Sequence, residues 1–280
     1  MTLRMERVRA RGGGARRGVV VCLHAMMTDG RYFGARTPST GSFAGALADA
    51  GLDVVVADLR GHGRSVPPDA RRDDWSFDDY VELDLPAIVT AAARASDCSI
   101  ADVSLLGHSL GGLVAAAAIA TGRIPRPRAL VLVASGVWLG GGSASLRRRA
   151  AMAVYRTVAA RLGYAPIRAL RAGTADEPRS YVEQLAGWAR TGRWTSRRGA
   201  DYLAALNTID TPTASLVSAR GDWMCTPRDA GELAGRIATA APMRVVGRAH
   251  GDALDPDHFG LITRGELAPL RRWIADALVR

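Results

Sequence analysis

The sequence contains no lysine, so all 37 of its basic residues are arginine, and against 27 acidic residues they give a net charge of +10. Such an excess can attract nucleic acid or an anionic membrane without specificity. The arginines are scattered, however, and they form neither a basic strip interleaved with aromatic residues nor a recognition-helix motif. We therefore do not expect a nucleic-acid partner.

Cysteine is scarce as well, with only Cys22, Cys98 and Cys225. An odd number at wide spacing, without a C-x-x-C pair, predicts no disulfide framework, no metal site and a reducing compartment. The sequence shows no charged-then-apolar leader, and the uncharged stretch 103–122 contains glycines and a histidine that argue against a membrane span. We predict a soluble, cytoplasmic protein without integral membrane contact, and the oligomeric state stays open.

Short strand-like runs alternate with helical stretches along the chain. The strand-like runs are continuously apolar, which is typical of strands covered by helices on both faces. This alternation predicts an α/β fold with a doubly wound, mostly parallel sheet. The predicted strands are 19–23, 54–57, 103–106, 129–133, 214–217 and 243–246, and the predicted helices are 43–50, 77–95, 110–120, 230–238 and 267–278.

The long interval between the fourth and fifth predicted strands carries no strong strand signal. It begins with a glycine run at Gly140–Gly142 that predicts a flexible exit from the sheet. Three segments in it have helical patterns: 147–162, 181–190 and 198–206. We predict that residues 137–210 form a helical cap over the carboxyl edge of the sheet, where ligands bind in doubly wound folds. The α/β core would then comprise residues 1–136 and 211–280.

Residues Gly107-His108-Ser109-Leu110-Gly111 form a G-x-S-x-G motif, with a strand-like run before it and small, helix-favouring residues after it. A strand that turns this sharply into a helix holds its middle residue in a strained backbone, with the side chain at the tip of the turn. The helix that follows points its free N–H groups and its positive dipole end at the serine. We therefore predict that Ser109 is a nucleophile.

A serine hydroxyl needs a base that takes its proton and an acid that orients the base. Where the serine lies on a strand-to-helix corner of this kind, the acid and the base both follow it in the chain. Asp222 lies on a loop after the predicted strand 214–217, and we predict that it is the acid. Two histidines follow Ser109, namely His250 and His258. Apolar neighbours that fix its loop favour His258, because the base must be held with high precision. His250 stays the alternative.

An oxyanion hole needs two converging N–H donors. One is expected from Leu110, the residue after the nucleophile, and the other from the loop after the first predicted strand. In that loop we predict that the Met26 amide is the donor, with Ala25 as its competitor. The flexible thioether of Met27 would offer apolar contact to an acyl chain, although core packing explains a methionine pair equally well. We predict that Met27 and His108 contact the substrate.

With these parts assembled, the sequence resembles the α/β-hydrolase fold superfamily over nearly its full length. The matching segments are Leu23–Met26, Asp58–Ser65, Gly107–Gly112, Asp222 and His258–Gly260. In particular, it resembles serine hydrolases that have Ala-Met in place of the commoner His-Gly oxyanion signature, so that Ala25 stands where most members carry glycine. In that group a histidine followed by Phe-Gly lies near the last helix, and the resemblance therefore also favours His258.

The resemblance implies a serine hydrolase that cleaves an ester or thioester through an acyl-serine intermediate. His258 would deprotonate Ser109, Asp222 would fix the imidazole tautomer, and the Leu110 and Met26 amides would stabilise the oxyanion. The expected partner is a small-molecule acyl ester or thioester, and no cofactor is predicted. Acyl transfer to an alcohol or amine uses the same residues and stays open, as does a non-catalytic ligand-binding protein on the same fold.

Overall fold

The structure is a computed structural model that describes residues 1–11, 16–34, 41–138 and 143–279. In these ranges the chain forms nine strands and ten α-helices. The strands are β1 Arg4–Val8, β2 Gly18–Leu23, β3 Leu52–Asp58, β4 Val103–His108, β5 Leu130–Val133, β6 Tyr164–Ala165, β7 Glu177–Pro178, β8 Thr213–Ser218 and β9 Ala240–Val246. The helices are α1 Phe43–Asp49, α2 Phe77–Asp79, α3 Leu85–Ala95, α4 Leu110–Ala120, α5 Ser143–Leu162, α6 Arg179–Thr191, α7 Tyr202–Ala205, α8 Pro227–Ala234, α9 Gly260–Thr263 and α10 Ala268–Ala277.

Seven of the strands form one sheet in the order β1-β3-β2-β4-β5-β8-β9. Neighbouring strands are parallel, except that β1 pairs antiparallel with β3. Side chains of α3 and α4 pack into the hydrophobic cluster on one face, and those of α1 and α10 into the cluster on the other. The predicted α/β fold with a doubly wound, mostly parallel sheet is confirmed.

Burial on both faces explains why the central strands lack a period-two pattern. In β2, Val19 and Val21 belong to the cluster with α3 and α4, whereas Val20 and Cys22 belong to the cluster with α1 and α10. Successive side chains of a strand point to opposite faces, so a strand covered on both sides needs apolar residues at every position.

The helix predictions differ from the structure mainly at their ends. Helices α1, α4 and α10 agree with their predictions to within one residue, and 77–95 is α2 and α3 joined by a π-helical turn. The predicted helix 230–238 is wrong in its bounds, because α8 begins at Pro227 and ends at Ala234. Thr226 and Asp229 form a reciprocal capping box there, which starts the helix earlier than its apolar residues indicate.

Strand β1 has no counterpart among the predicted strands. It lies at the edge of the sheet, and the sequence RMERV leaves most of its residues half-buried or exposed. An edge strand of this kind needs no continuous apolar run, so hydrophobic patterning gives no signal for it.

Between β5 and β8 the chain contributes no strand to the main sheet within the described residues. Helices α5 and α6 lie in this interval, together with a two-residue pairing of β6 with β7. The predicted helix 198–206 is shorter than expected, since α7 covers only Tyr202–Ala205 and is followed by a 3₁₀ turn. The division into a core and a cap at 137–210 stays a prediction, and its Gly140–Gly142 exit lies outside the described residues.

No helix in the described ranges is both long enough and apolar enough to cross a membrane. The three cysteines are free thiols, and Cys22 and Cys225 are buried. Burial raises the pKa of the Cys22 and Cys225 thiols far above their usual range. Buried, protonated thiols are poor nucleophiles, so these two cysteines act as small core residues.

Candidate active site

Ser109 lies at the corner where β4 ends and α4 begins. Its φ of 52° and ψ of −113° are strained values for a residue with a side chain. The Ser109 N–H donates to the Val133 carbonyl over 2.8 Å, and its carbonyl accepts from the Gly112 and Leu113 amides. These bonds hold the turn in its strained form, so the serine stays at the tip of the corner.

The glycines around Ser109 are required by close packing. A Cβ at Gly107 would overlap the backbone of Gly112, and a Cβ at Gly111 would overlap the carbonyl of Leu23 in β2. The first turn of α4 therefore lies directly against the sheet. This close approach is what the G-x-S-x-G pattern provides.

His258 and Asp222 meet although they are far apart in sequence. Asp222 lies in the loop between β8 and α8, and His258 in the loop between β9 and α9. The His258 Nδ1–H donates to Asp222 Oδ2 over 2.8 Å, and both residues are buried. The other carboxylate oxygen accepts from the Met224 and Cys225 amides, each at 2.9 Å. With Nδ1 protonated, His258 Nε2 is free to accept a proton.

Only one of the two candidate bases lies at the cavity. His258 and Ser109 line the same cavity, whereas His250 is exposed at the end of the 3₁₀ turn Arg248–His250 and is not part of that lining. The geometry therefore brings Ser109, Asp222 and His258 to one place and leaves His250 outside it. The catalytic roles of these residues stay a prediction.

His108 lies behind the cavity rather than in its wall. Its Nε2–H donates to the His258 carbonyl over 3.0 Å, and its Nδ1 accepts from the Tyr32 hydroxyl over 2.9 Å. Burial, together with nearby His258, lowers the pKa of His108 well below its usual value, so the ring is neutral. The predicted substrate contact of His108 finds no support in this placement, because the ring is fully buried and supports the loop of His258.

The loop after β2 contains three successive amides, those of Ala25, Met26 and Met27, which differ in their hydrogen bonding. The Ala25 N–H donates to the Tyr32 hydroxyl over 3.0 Å, and the Met27 N–H donates to Glu177 Oε1 over 2.6 Å. Among the described residues, no hydrogen bond occupies the amides of Met26 or Leu110. Of the two competitors, Met26 therefore has the free N–H, and the oxyanion role of Met26 and Leu110 stays a prediction.

The cavity in front of Ser109 has a volume of about 330 Å³. Within the described ranges, no Asp, Glu or Arg side chain lines it. Met27 is part of its wall, next to Met26 and Ala25. Most of the remaining wall is apolar or aromatic, including Leu113, Val137, Trp138, Leu185, Trp188 and Met224. Such a cavity favours an uncharged, apolar group over a charged one.

Arg148 ties α5 to the loop that carries Asp222. Its guanidinium forms a buried, bidentate pair with Asp229 of α8, at 2.9 and 2.6 Å. The same guanidinium donates to the carbonyl of Trp223, the residue after Asp222.

We expect Arg148→Ala to lower the free energy of unfolding by about 3–5 kcal/mol, because it leaves the buried Asp229 carboxylate without its cation. Urea denaturation followed by circular dichroism measures this change. Arg149→Ala is the matched control, since Arg149 is exposed and has no ion pair in the parts of the chain that the structure describes. Its effect should stay within about 0.5 kcal/mol. Equal losses in the two variants would contradict the expectation.

The sheet order, the strained serine corner and the buried His–Asp pair at one edge of the sheet define an α/β-hydrolase. The chain belongs to the serine aminopeptidase S33 family, which it matches over residues 15–244.

Comparisons with individual proteins agree with this fold. The chain is similar to a monoacylglycerol lipase from Paleococcus ferrophilus, with a TM-score of 0.63 and 16% identity over 100% of this chain and 99% of that one. It is also similar to Est1E from Butyrivibrio proteoclasticus with ferulic acid bound, with a TM-score of 0.63 and 12% identity over 99% and 96% of the two chains. At these identities the likeness shows the fold alone.

One curated relative matches in sequence over a shorter stretch. A tear acid lipase-like protein from Mesocricetus auratus is 31% identical over 109 residues, which is 37% of this chain and 27% of that protein. The match thus spans little more than a quarter of that relative's length.

Proposed function

We propose that the protein is a serine hydrolase that cleaves ester or thioester bonds through an acyl-Ser109 intermediate. The observation that carries the proposal is the 2.8 Å bond between His258 Nδ1 and Asp222 Oδ2, on a histidine that shares a cavity with Ser109. A carboxylate on Nδ1 leaves Nε2 as the proton acceptor, which is the orientation that a general base for serine requires.

In the proposed reaction, His258 Nε2 takes the Ser109 proton while Oγ bonds to the substrate carbonyl carbon. The carbonyl oxygen becomes an oxyanion that the Met26 and Leu110 amides stabilise. As the tetrahedral intermediate collapses, the leaving alcohol or thiol takes the proton from His258. Water then gives a proton to His258 and attacks the acyl-serine. As this second intermediate collapses, the Ser109 Oγ leaves and takes the proton back from His258, which releases the carboxylic acid and restores both residues.

The lining of the cavity supports an acyl ester or thioester rather than a peptide amino terminus. An aminopeptidase must bind the charged ammonium of its substrate, which calls for a carboxylate in the pocket. The lining within the described residues has no free carboxylate, since Asp222 lies behind His258. The family's name is therefore a weaker guide to the substrate than the apolar lining.

We expect kcat/KM for p-nitrophenyl esters to rise with acyl length until the cavity is full. Each methylene moved from water into an apolar site contributes about 0.8 kcal/mol, which corresponds to about a fourfold rise in kcat/KM. A series from acetate to octanoate measures the slope. A flat or falling series from the first member onward would contradict an apolar acyl site.

The test of the proposed function is hydrolysis of p-nitrophenyl butyrate and of a matched butyryl thioester, with product acid measured directly. The proposal expects acceleration of at least one substrate and release of free butyrate. A protein that accelerates neither substrate would instead fit a binding role. Butyryl transfer to added glycerol, at the expense of free butyrate, would favour the acyltransferase alternative.

A further inference from the structure

Glu177 is a fully buried carboxylate on the predicted cap segment, and the reaction proposed above gives it no role. Its Oε1 accepts from the Met27 N–H over 2.6 Å and lies 3.2 Å from His62 Nε2. Its Oε2 has no partner within the described part of the molecule. A buried carboxyl group costs stability unless it is paired, so its presence here indicates a role at its two partners, Met27 and His62.

We propose that Glu177 is a positioning residue that holds the Met26 amide in place by fixing the next residue, Met27. The consequence is that the oxyanion hole forms only when residues 173–177 lie against the loop after β2. This inference rests on the proposed function, because it assigns to Glu177 a role in stabilising the oxyanion.

Both backbone polar groups of Met27 form hydrogen bonds with residues 174–177. Its N–H donates to Glu177, and its carbonyl accepts from the amides of Thr174 at 2.7 Å and Ala175 at 3.3 Å. Met27 itself has a φ of 62°, in the left-handed region that a residue with a side chain adopts at a cost. The contacts with residues 174–177 hold Met27 in this conformation. The bond from its N–H to Glu177 also fixes the peptide plane that joins Met26 to Met27, which limits the rotation of Met26 and therefore the direction of the Met26 N–H.

Two further contacts hold the segment on the same loop. The Thr174 hydroxyl donates to Asp29 Oδ2 over 2.8 Å. At Gly173 the approach is so close that an added Cβ would overlap the carbonyl oxygen of Met27. Glycine at 173 thus permits the contact, and Glu177 and Thr174 complete it.

His62 is the second partner of the Glu177 carboxyl group. Its Nδ1–H donates to the Arg60 carbonyl over 2.8 Å, so Nε2 faces Glu177. Burial lowers the pKa of His62, but Glu177, the Arg60 carbonyl and Asp58 together raise it above its usual value. His62 thus helps to fix the oxygen that accepts the Met27 N–H.

The inference predicts a particular kinetic signature. Oxyanion contacts form only in the transition state, so a displaced Met26 amide lowers kcat and leaves KM nearly unchanged. A misplacement of about 1 Å at a catalytic group can lower the rate by about 100-fold. A residue that merely stabilises the fold would instead reduce the active fraction and leave kcat per active site unchanged.

The experiment compares Glu177→Ala, Glu177→Gln and Gly173→Ala in the full chain with p-nitrophenyl butyrate, and Ser109 is titrated by a fluorophosphonate to give kcat per active site. We expect Glu177→Ala to lower kcat by about 10- to 100-fold with KM within about twofold. Glu177→Gln keeps an acceptor for the Met27 N–H and should recover most of that loss. The Ki of a butyryl trifluoromethyl ketone, which forms an oxyanion adduct on serine, should rise in parallel with the loss of kcat.

Matched controls come from α6. Glu183→Ala removes a carboxylate that pairs with Arg179 at the surface. Gly187→Ala adds a Cβ that has no neighbouring atom of the described residues within 4 Å outside its own helix turn. Both should keep wild-type kcat. If Glu177→Ala does not fold, Gly173→Ala tests the same positioning role, because its added Cβ would overlap the Met27 carbonyl oxygen and displace Met27.

The outcomes separate the two proposals. An active wild type together with folded variants of unchanged kcat, or with losses confined to KM, overturns the role of Glu177 and leaves the hydrolase proposal standing. A Gln variant as impaired as the Ala variant also overturns it, because the acceptor would then not matter. A wild type without esterase or thioesterase activity overturns both.

Discussion

Ser109→Ala is expected to lower kcat for p-nitrophenyl butyrate by on the order of 10⁴- to 10⁶-fold, because the proposed reaction has no second group that could replace the Ser109 nucleophile. The same change should abolish labelling by a fluorophosphonate probe. The fold should survive, since alanine can keep the backbone bonds that hold the turn between β4 and α4. Spectrophotometric kinetics and gel fluorescence after labelling measure the two effects.

Ser99→Ala is the matched control, since Ser99 is exposed, caps a 3₁₀ turn and is not part of the cavity lining. It should retain wild-type activity and labelling. Labelling of the Ser109→Ala variant at the wild-type rate would overturn the assignment of the nucleophile.

His258→Ala is expected to reduce kcat by about as much as the loss of the serine, because the base and the nucleophile act as a unit. Asp222→Asn should lower kcat by about 10⁴-fold, because an amide at this place favours the imidazole tautomer that cannot accept the serine proton. His250→Ala should change kcat less than about twofold, since a surface substitution away from the site has little effect. The measurement is kcat per folded protein for each variant.

The comparison of the two histidines is the sharper part of this prediction. Both are single substitutions of histidine in the same region of the chain, and only His258 contacts Asp222. A large loss in His250→Ala with a small loss in His258→Ala would contradict the proposed base.

Much of the fold could be predicted because its signals are local. The continuous apolar run in β2 and the small residues of α4 indicate their elements without any tertiary information. Strand β1 could not be predicted in this way, because its pairing with β3 supplies the stability that its own sequence lacks. The start of α8 was missed, because it is set by the capping residues Thr226 and Asp229, and hydrophobic periodicity does not detect them.

The candidate site likewise contains residues that local sequence signals indicate and residues that only tertiary contacts reveal. Chain order and strand ends were sufficient to propose Ser109 and Asp222, and they left His250 and His258 open. The supporting residues carry no local signal: Tyr32 bonds to His108 across 76 positions, and Glu177 bonds to Met27 across 150. Such contacts depend on how distant segments meet in space, so no spacing rule in the sequence could have indicated them.

The position of the acyl group in the trapped intermediate tests the central claim most directly. The protein is mixed with excess p-nitrophenyl butyrate, quenched in acid within the first turnover and digested for peptide mass spectrometry. The proposed mechanism predicts a butyryl group on the peptide that contains Ser109, with fragmentation that assigns it to that residue. Rapid hydrolysis without any acyl group on Ser109, or with the acyl group on another side chain, would contradict it.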